Sequence, residues 1–268
     1  MIVIPESGPR LSVNLNKVAL LRNQRAVGYP DPIAAGRTIL TAGAHGLTVH
    51  PRPDARHIRK TDVYALASMM DDDGWRQRGI ELNIEGNPFP DYLALCAAPR
   101  PQQATLVPDA PDAATSETGW AVRDPETQRR LRTVIAILKD LGCRVSLFMD
   151  PDPEAMAIAA AVGADRVELY TGPYAMAAEG AAGATSGREV LERYLATARA
   201  AAAAGLGVNA GHDLTRANLP PFCAAIPFLA EVSIGHAFTT DALWAGFEAA
   251  VQAYLAALTP CSRLSKAL

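Results

Sequence analysis

Leu47-Thr48-Val49-His50-Pro51-Arg52-Pro53-Asp54-Ala55-Arg56-His57-Ile58 is the stretch that decides how this chain is read. Ala44-His45-Gly46 leads into a short β-branched run that reads as a buried strand, and the run stops in a polar cluster. Pro51 and Pro53 cannot prolong a strand, because each lacks an N–H and fixes φ. They also stiffen a loop that displays two imidazoles and two guanidiniums. Arg offers phosphate a planar fork, and His titrates near neutral pH. A solvated basic turn explains this stretch alone equally well; its recurrence along the chain argues for more.

Working outward, residues 11–15 alternate as a strand does and run into Asn16-Lys17. Arg22, Asn23 and Arg25 follow, and Asp31 with Pro32 opens a helix to about residue 42. Beyond the central stretch, helices are expected at 61–77, 89–98, 125–141, 153–162, 189–204, 219–225 and 240–258. Strands fall between them at 81–84, 104–107, 144–148, 166–170, 207–209 and 231–234. The Ala- and Gly-rich segment 174–187 has no cap, and reads either as a lid or as a plain surface connection. Residues 259–268 read as a loosely ordered tail of the one domain, 1–268. Eight strand–helix alternations predict an α/β fold, a single (β/α)8 TIM barrel. A doubly wound open sheet is the alternative, weakened because no G-x-G-x-x-G follows the first strand and no P-loop occurs.

Composition narrows the function. The 268 residues are 49% hydrophobic with net charge −3 and interspersed signs, so no basic stripe points to nucleic acid and no partner membrane is expected. No apolar run reaches the roughly 20 residues of a membrane span, and the first nine residues lack a signal-peptide pattern; the expected location is cytoplasmic. The four cysteines are dispersed without C-x-x-C, as in a reduced protein. No H-x-H or H-E-x-x-H spacing supports a metal. A two-carboxylate glycosidase lacks an aromatic sugar platform, since only Trp120 lies in a strand-end loop.

Barrels carry their chemistry at the carboxyl ends of the strands. Those ends hold Asn14, His50, Glu85, Asp109, Asp150, Glu168 with Thr171, His212 and Gly235-His236. Glu85 follows an apolar run, so desolvation should raise its pKa toward that of a useful base; pairing with an Arg is the plainer alternative. Glu168 sits between Val167 and Leu169, where a buried acid is costly unless paired or functional. His212 lies on a Gly-containing loop, whereas His45 precedes its strand and is expected to be structural. Gly235-His236 occupies the place where barrels often bind phosphate, and Arg22, Arg25 and Arg52 are further candidates for an anion.

These motifs together resemble the pyridoxine 5′-phosphate synthase family. The likeness is carried by Val13-Asn14, Leu21-Arg22-Asn23 with Arg25, Thr48-Val49-His50-Pro51-Arg52 with Arg56-His57-Ile58, and Asn83-Ile84-Glu85. It continues in Glu168-Leu169-Tyr170-Thr171-Gly172, Val208-Asn209-Ala210-Gly211-His212 and Ile234-Gly235-His236-Ala237. The resemblance implies a cofactor-free barrel enzyme assembled as a homo-octamer, acting on two small phosphorylated substrates, 1-deoxy-D-xylulose 5-phosphate and 3-amino-2-oxopropyl phosphate. It implies His50 and Glu85 as proton acceptors, His212 as proton donor and Glu168 as a transition-state stabiliser. Asn14, Arg25, Gly235 and His236 would hold the amino ketone phosphate; Arg52, His57 and Thr115 would hold the deoxyxylulose phosphate. Four residues depart from the family pattern. Asn16-Lys17 stands where Asp-His is common, Asp213 follows His212 where Gly is common, and Thr118 replaces a Gly. Asn16, Lys17 and Asp213 are expected to contact substrate despite the change. A barrel that binds a phosphorylated metabolite without turnover is the competing function.

Overall fold

The computed structural model describes residues 8–110, 113, 115–180 and 187–264, with side chains described as far as residue 258. Eight parallel strands form a closed ring: β1 (Arg10–Asn14), β2 (Gly46–Val49), β3 (Glu81–Gly86), β4 (Gln103–Leu106), β5 (Arg144–Met149), β6 (Arg166–Tyr170), β7 (Gly207–Gly211) and β8 (Glu231–Ile234). The ring closes where β1 pairs with β8, Ser12 opposite Ser233 and Val13 opposite Ile234. That pairing excludes the open doubly wound sheet and establishes the (β/α)8 barrel.

Around it pack α1 (Asn16–Asn23), α2 (Pro32–Thr41), α3 (Lys60–Asp72), α4 (Pro90–Ala97), α5 (Pro125–Asp140), α6 (Met156–Ala161), α7 (Gly172–Ala178), α8 (Gly187–Ala203), α9 (Leu219–Ala225), α10 (His236–Ala245) and α11 (Phe247–Leu264). Local chemistry explains their starts. The Asp31 carboxylate accepts from the N–H groups of Ile33 and Ala34 ahead of Pro32, and Asp124 does the same for Thr127 ahead of Pro125. Leu47, Val49, Leu82, Ile84, Ala104, Leu106, Val145, Leu147, Val167 and Leu169 are buried in the layer between strands and helices.

Several elements differ from the sequence reading. Two short helices, α1 and α7, were not expected; neither start carries a side-chain cap, and Pro173 in the first turn of α7 is the one local start signal between them. α7 replaces part of the supposed lid or connection, and residues 181–186 of that segment lie outside the described residues. The single final helix is two, broken at Gly246, whose φ of 82° is left-handed. α11 runs six residues past the expected end at Leu258, while residues 265–268 of the supposed tail lie outside the described residues.

The alternate residues of each strand point into the barrel, and there most of them are polar, Phe148 being an exception. At the amino-terminal floor, Arg10 pairs with Glu81 at 3.1 Å, Arg144 donates to Gln103 at 3.1 Å, and Gln103 donates to Glu231 at 3.2 Å. Above it, the Ser12 and Thr48 hydroxyls lie 2.7 Å apart and Thr105 donates to Asn83 at 2.9 Å. His45 closes the floor side, its Nδ1 accepting from the Leu11 N–H, which is the structural role expected of it.

Arg22 is not an anion site. Its guanidinium is buried and grips Asp62 at 2.6 and 2.8 Å, while donating to the His57 carbonyl at 3.2 Å. Asp62 also accepts from the Arg59 N–H at 2.8 Å, so one carboxylate caps α3 and anchors the proline-rich loop. Asp62→Ala leaves that cation buried without its partner, and is expected to cost roughly 3–5 kcal/mol. Urea unfolding checks this, a loss below about 1 kcal/mol counting against the anchor.

Candidate active site

The carboxyl ends of the strands open into a cleft of about 400 Å³. Asn14, Asn16, Lys17, His50, Arg52, Glu85, Thr115, Glu168, His212, Asp213, Gly235 and His236 line it, so these residues singled out from sequence converge on one rim. The strand-end residues Asp109, Asp150 and Thr171 do not line it, and neither do two proposed substrate residues. His57 is buried behind His50, ring centroids 6.4 Å apart, with its Nδ1 accepting from the Ile58 N–H. Arg25 is exposed and is not among the residues lining the cleft.

At the centre, a chain of hydrogen bonds sets His50 against Glu85. The Asn14 side chain donates to Glu85 Oε2 at 3.3 Å and accepts from the Asn16 N–H at 2.9 Å. Asn16 Oδ1 in turn accepts from the His50 N–H at 2.9 Å. The His50 Nδ1 and Glu85 Oε2 are 3.8 Å apart, longer than a hydrogen bond. They are not an ion pair either. Burial, aided by the charge of Arg52, holds the His50 pKa well below its ordinary value. Burial lifts Glu85 to about 7, the nearby Asp109 adding to the rise while His212 and Arg52 oppose it. The pair at neutral pH is therefore a neutral imidazole beside a carboxyl poised near its midpoint.

Glu168 projects from β6, opposite Phe148 on β5 and Asn209 on β7. Burial raises its pKa well above the usual range, and the charge of Glu85 raises it further. Its Oε2 has no hydrogen-bond partner among the described residues. Room for it comes from Gly211, where a Cβ would lie 2.4 Å from Glu168 Oε1 and 2.8 Å from the Ser233 carbonyl. The same close approach occurs at Gly235, where a Cβ would lie 3.0 Å from that of Asn14.

Two places on the rim suit anions. Gly235 precedes α10, whose free N–H groups and dipole favour negative charge. After the neighbouring strands β1 and β2 come Lys17 and the buried Arg52, which donates to Asp109 at 2.6 Å and to the Ala113 carbonyl at 2.9 Å. The proline-rich loop, the loop after β4 and the first helix turn thus surround one positively charged corner. Among the described residues no group of His, Cys, Asp and Glu is arranged to hold a metal ion.

The profile of the family described as pyridoxal phosphate biosynthesis protein PdxJ matches residues 11–260. The chain belongs to the PdxJ family. A relative from Xanthomonas campestris pv. campestris (strain B100), named pyridoxine 5′-phosphate synthase, is 52% identical over 253 residues, which are 92% of this chain and 94% of the relative. One of the same name from Chelativorans sp. (strain BNC1) is 52% identical over 250 residues, covering 92% and 98%. Among solved structures, tryptophan synthase from M. tuberculosis in an open form with BRD0059 bound matches with a TM-score of 0.59 at 14% identity, over 94% of each chain. Phosphoribosyl anthranilate isomerase from Thermus Thermophilus matches with a TM-score of 0.53 at 14% identity, over 93% and 98%. At that identity the likeness concerns the barrel alone.

In this PdxJ chain some lining residues escaped the sequence reading. Ser116 sits in an unpatterned loop, where it donates to the carboxylate of Asp109, a strand-end acid whose partner Arg52 is far away in sequence. Val107, Phe148 and Ser233 line the cleft as ordinary strand residues, with no signal of their own. The burial of Glu85 makes a prediction about stability. Its folded pKa of about 7 exceeds the unfolded 4.5, so the fold binds the extra proton and loses stability as pH rises from 4.5 to 7. Glu85→Gln removes this loss and is expected to be more stable than the parent by roughly 1–3 kcal/mol at pH 8. The difference should vanish near pH 4.5. Equal unfolding free energies at pH 8 would mean the carboxyl is not desolvated.

Proposed function

We propose that this PdxJ-family protein is a pyridoxine 5′-phosphate synthase that condenses 1-deoxy-D-xylulose 5-phosphate with 3-amino-2-oxopropyl phosphate, giving pyridoxine 5′-phosphate, phosphate and water. The curated relatives are named pyridoxine 5′-phosphate synthase. The observation that carries the reading is the neutral His50 beside Glu85 in a cleft also lined by Lys17, Arg52 and the Gly235-His236 start of a helix, groups suited to phosphate.

Joining an amine to a ketone, then closing a ring, needs carbon-bound protons removed and oxygens released as water. Groups with pKa values near neutrality serve both directions. His50 and Glu85 are the proton acceptors, since one is held neutral and the other titrates near 7. His212 is the proton donor to the departing oxygens. Glu168, kept protonated by burial, offers an O–H to the oxyanion that develops as bonds rearrange. Asn14, Gly235 and His236 hold the amino ketone phosphate, with Arg25 assigned to the same substrate by family pattern. Arg52, Thr115 and, through the loop it supports, His57 hold the deoxyxylulose phosphate, and Asn16, Lys17 and Asp213 complete the substrate surroundings. The homo-octamer and the cytoplasmic setting belong to the same proposal; among the described residues no helix is long and apolar enough to cross a membrane.

A phosphometabolite-binding protein without turnover is the second reading, favoured by the unusual Asn16-Lys17 and Asp213. Mixing both phosphates with the purified chain and following pyridoxine 5′-phosphate by chromatography separates them. Product supports the synthase, whereas tight binding with no product supports the sensor. Glu85→Gln is expected to lower turnover at least about a hundredfold, the usual loss for a general base. Near-parental turnover in that variant would remove Glu85 from the proton path.

A further inference from the structure

We propose that Asp213 is the positioning residue of His212, accepting a hydrogen bond from Nδ1–H so that Nε2 is the nitrogen the ring presents to the cleft. The effect on turnover rests on His212 being the proton donor; the geometry itself does not.

Asp213 Oδ2 lies 2.7 Å from His212 Nδ1. Neighbouring residues in a strand point to opposite faces, so a contact between their side chains needs the backbone to turn. It turns at His212, whose φ of 87° is left-handed, an uncommon conformation for a residue with a Cβ. Such a conformation persists only where the surroundings hold it. Here they do. The His212 N–H donates to the Ser233 carbonyl at 3.3 Å, and the Asp213 N–H donates to Thr171 Oγ1 at 3.2 Å. Asn218 donates to the Asp213 carbonyl at 3.2 Å, and the Thr171 hydroxyl donates to the Gly211 carbonyl. Both peptides flanking the turn are thus tied to β7, β8 and the loops after β6 and β7.

The far side of the ring faces the cleft. His212 Nε2 lies 2.7 Å from Thr115 Oγ1, and the ring packs edge-on against Tyr170 with centroids 5.7 Å apart. Among the described residues the Asp213 carboxylate has no other hydrogen bond. A free carboxylate on this rim would repel a phosphate ester. Directed onto Nδ1, the charge instead keeps one proton there, so that the second proton the ring takes up, the one it can give to substrate, sits on Nε2 facing the cleft. Asp213 therefore acts through His212 rather than on the substrate.

Two readouts test this on the full-length protein. Selective ¹⁵N-histidine NMR above pH 8, with the signal assigned by its loss in His212→Gln, should show Nδ1 protonated in the parent and Nε2 protonated in Asp213→Gly. An Nε2-protonated parent ring would overturn the proposal. In kinetics, Asp213→Asn should lower kcat roughly 10–100-fold, part of what a proton donor contributes. The KM of each phosphate should stay within about threefold, and Asp213→Glu should recover part of the loss. In a His212→Gln background Asp213→Asn should add nothing further. A raised KM with unchanged kcat would make Asp213 a substrate contact, and a full further loss in the His212→Gln background would make it structural; either outcome overturns the proposal. Parental turnover in His212→Gln itself would remove the proton-donor reading, and the NMR result would still decide the Asp213 contact.

Discussion

Glu85 and Glu168 stand on β3 and β6, three strands apart in the ring, and burial lifts the pKa of both while the charge of one lifts the other further. Everything chemically useful in the cleft follows from that desolvation. A carboxyl in water is ionised at neutral pH, a weak base and no donor; taken out of water it becomes a base titrating near 7 or a neutral acid. The same exclusion of water keeps His50 neutral next to Arg52. Closure of the barrel is what permits this, because only a closed ring gives side chains of distant strands a shared, shielded interior.

The floor of the same barrel shows that burial alone does not set the outcome. Glu81 is also largely removed from water, and burial raises its pKa, yet the hydrogen bond and charge of Arg144, with Arg10 beyond, outweigh it and leave the carboxylate below the usual value. Arg10 and Arg144 compensate Glu81, whereas the neighbouring Glu231 is buried more deeply, and burial raises its pKa despite Arg166 at 3.7 Å. Acids at the mouth receive less. Glu168 Oε2 is left without a bond, and Glu85 has one amide and a neutral imidazole beside it. Glu81 at the floor and Glu85 and Glu168 at the mouth thus differ in the guanidiniums that reach them, on strands of otherwise similar pattern.

Much of this was legible in the sequence because strand ends announce themselves. An apolar β-branched run followed by His50, Glu85 or Gly235 marks both the element and the rim, and residues on one rim share one cleft once the ring is closed. What was not legible depends on partners distant in the chain. Arg22 looks like a surface cation or an anion ligand until Asp62, forty residues on, is seen to occupy it. Arg52 reads as free to bind phosphate, and proves to share its guanidinium with Asp109. His57 sits in a motif of exposed character, but α1 draws its loop inward: Asn23 donates to the carbonyls of Ala55, Arg56 and His57, and the imidazole is buried with its pKa lowered to about 4, by burial first and then by Arg52. Helices α1 and α7 escaped because packing rather than a cap fixes their ends.

The departures from the family pattern gain meaning from the same charges. Asn16 accepts the His50 N–H through a neutral amide, where an Asp would bring a further carboxylate close to Glu85 and push its pKa higher still. Lys17 adds a fixed cation on that side, in place of a titrating imidazole, and its charge is among those lowering His57. Asp213 returns a negative charge on the other side of the cleft, where His212 receives it. Asn16 thus keeps an anion away from the β1 side, where Glu85 needs few nearby, and Asp213 supplies one on the β7 side, where an imidazole has use for it. The three residues together set the charge around the pair of buried carboxyls, Glu85 and Glu168.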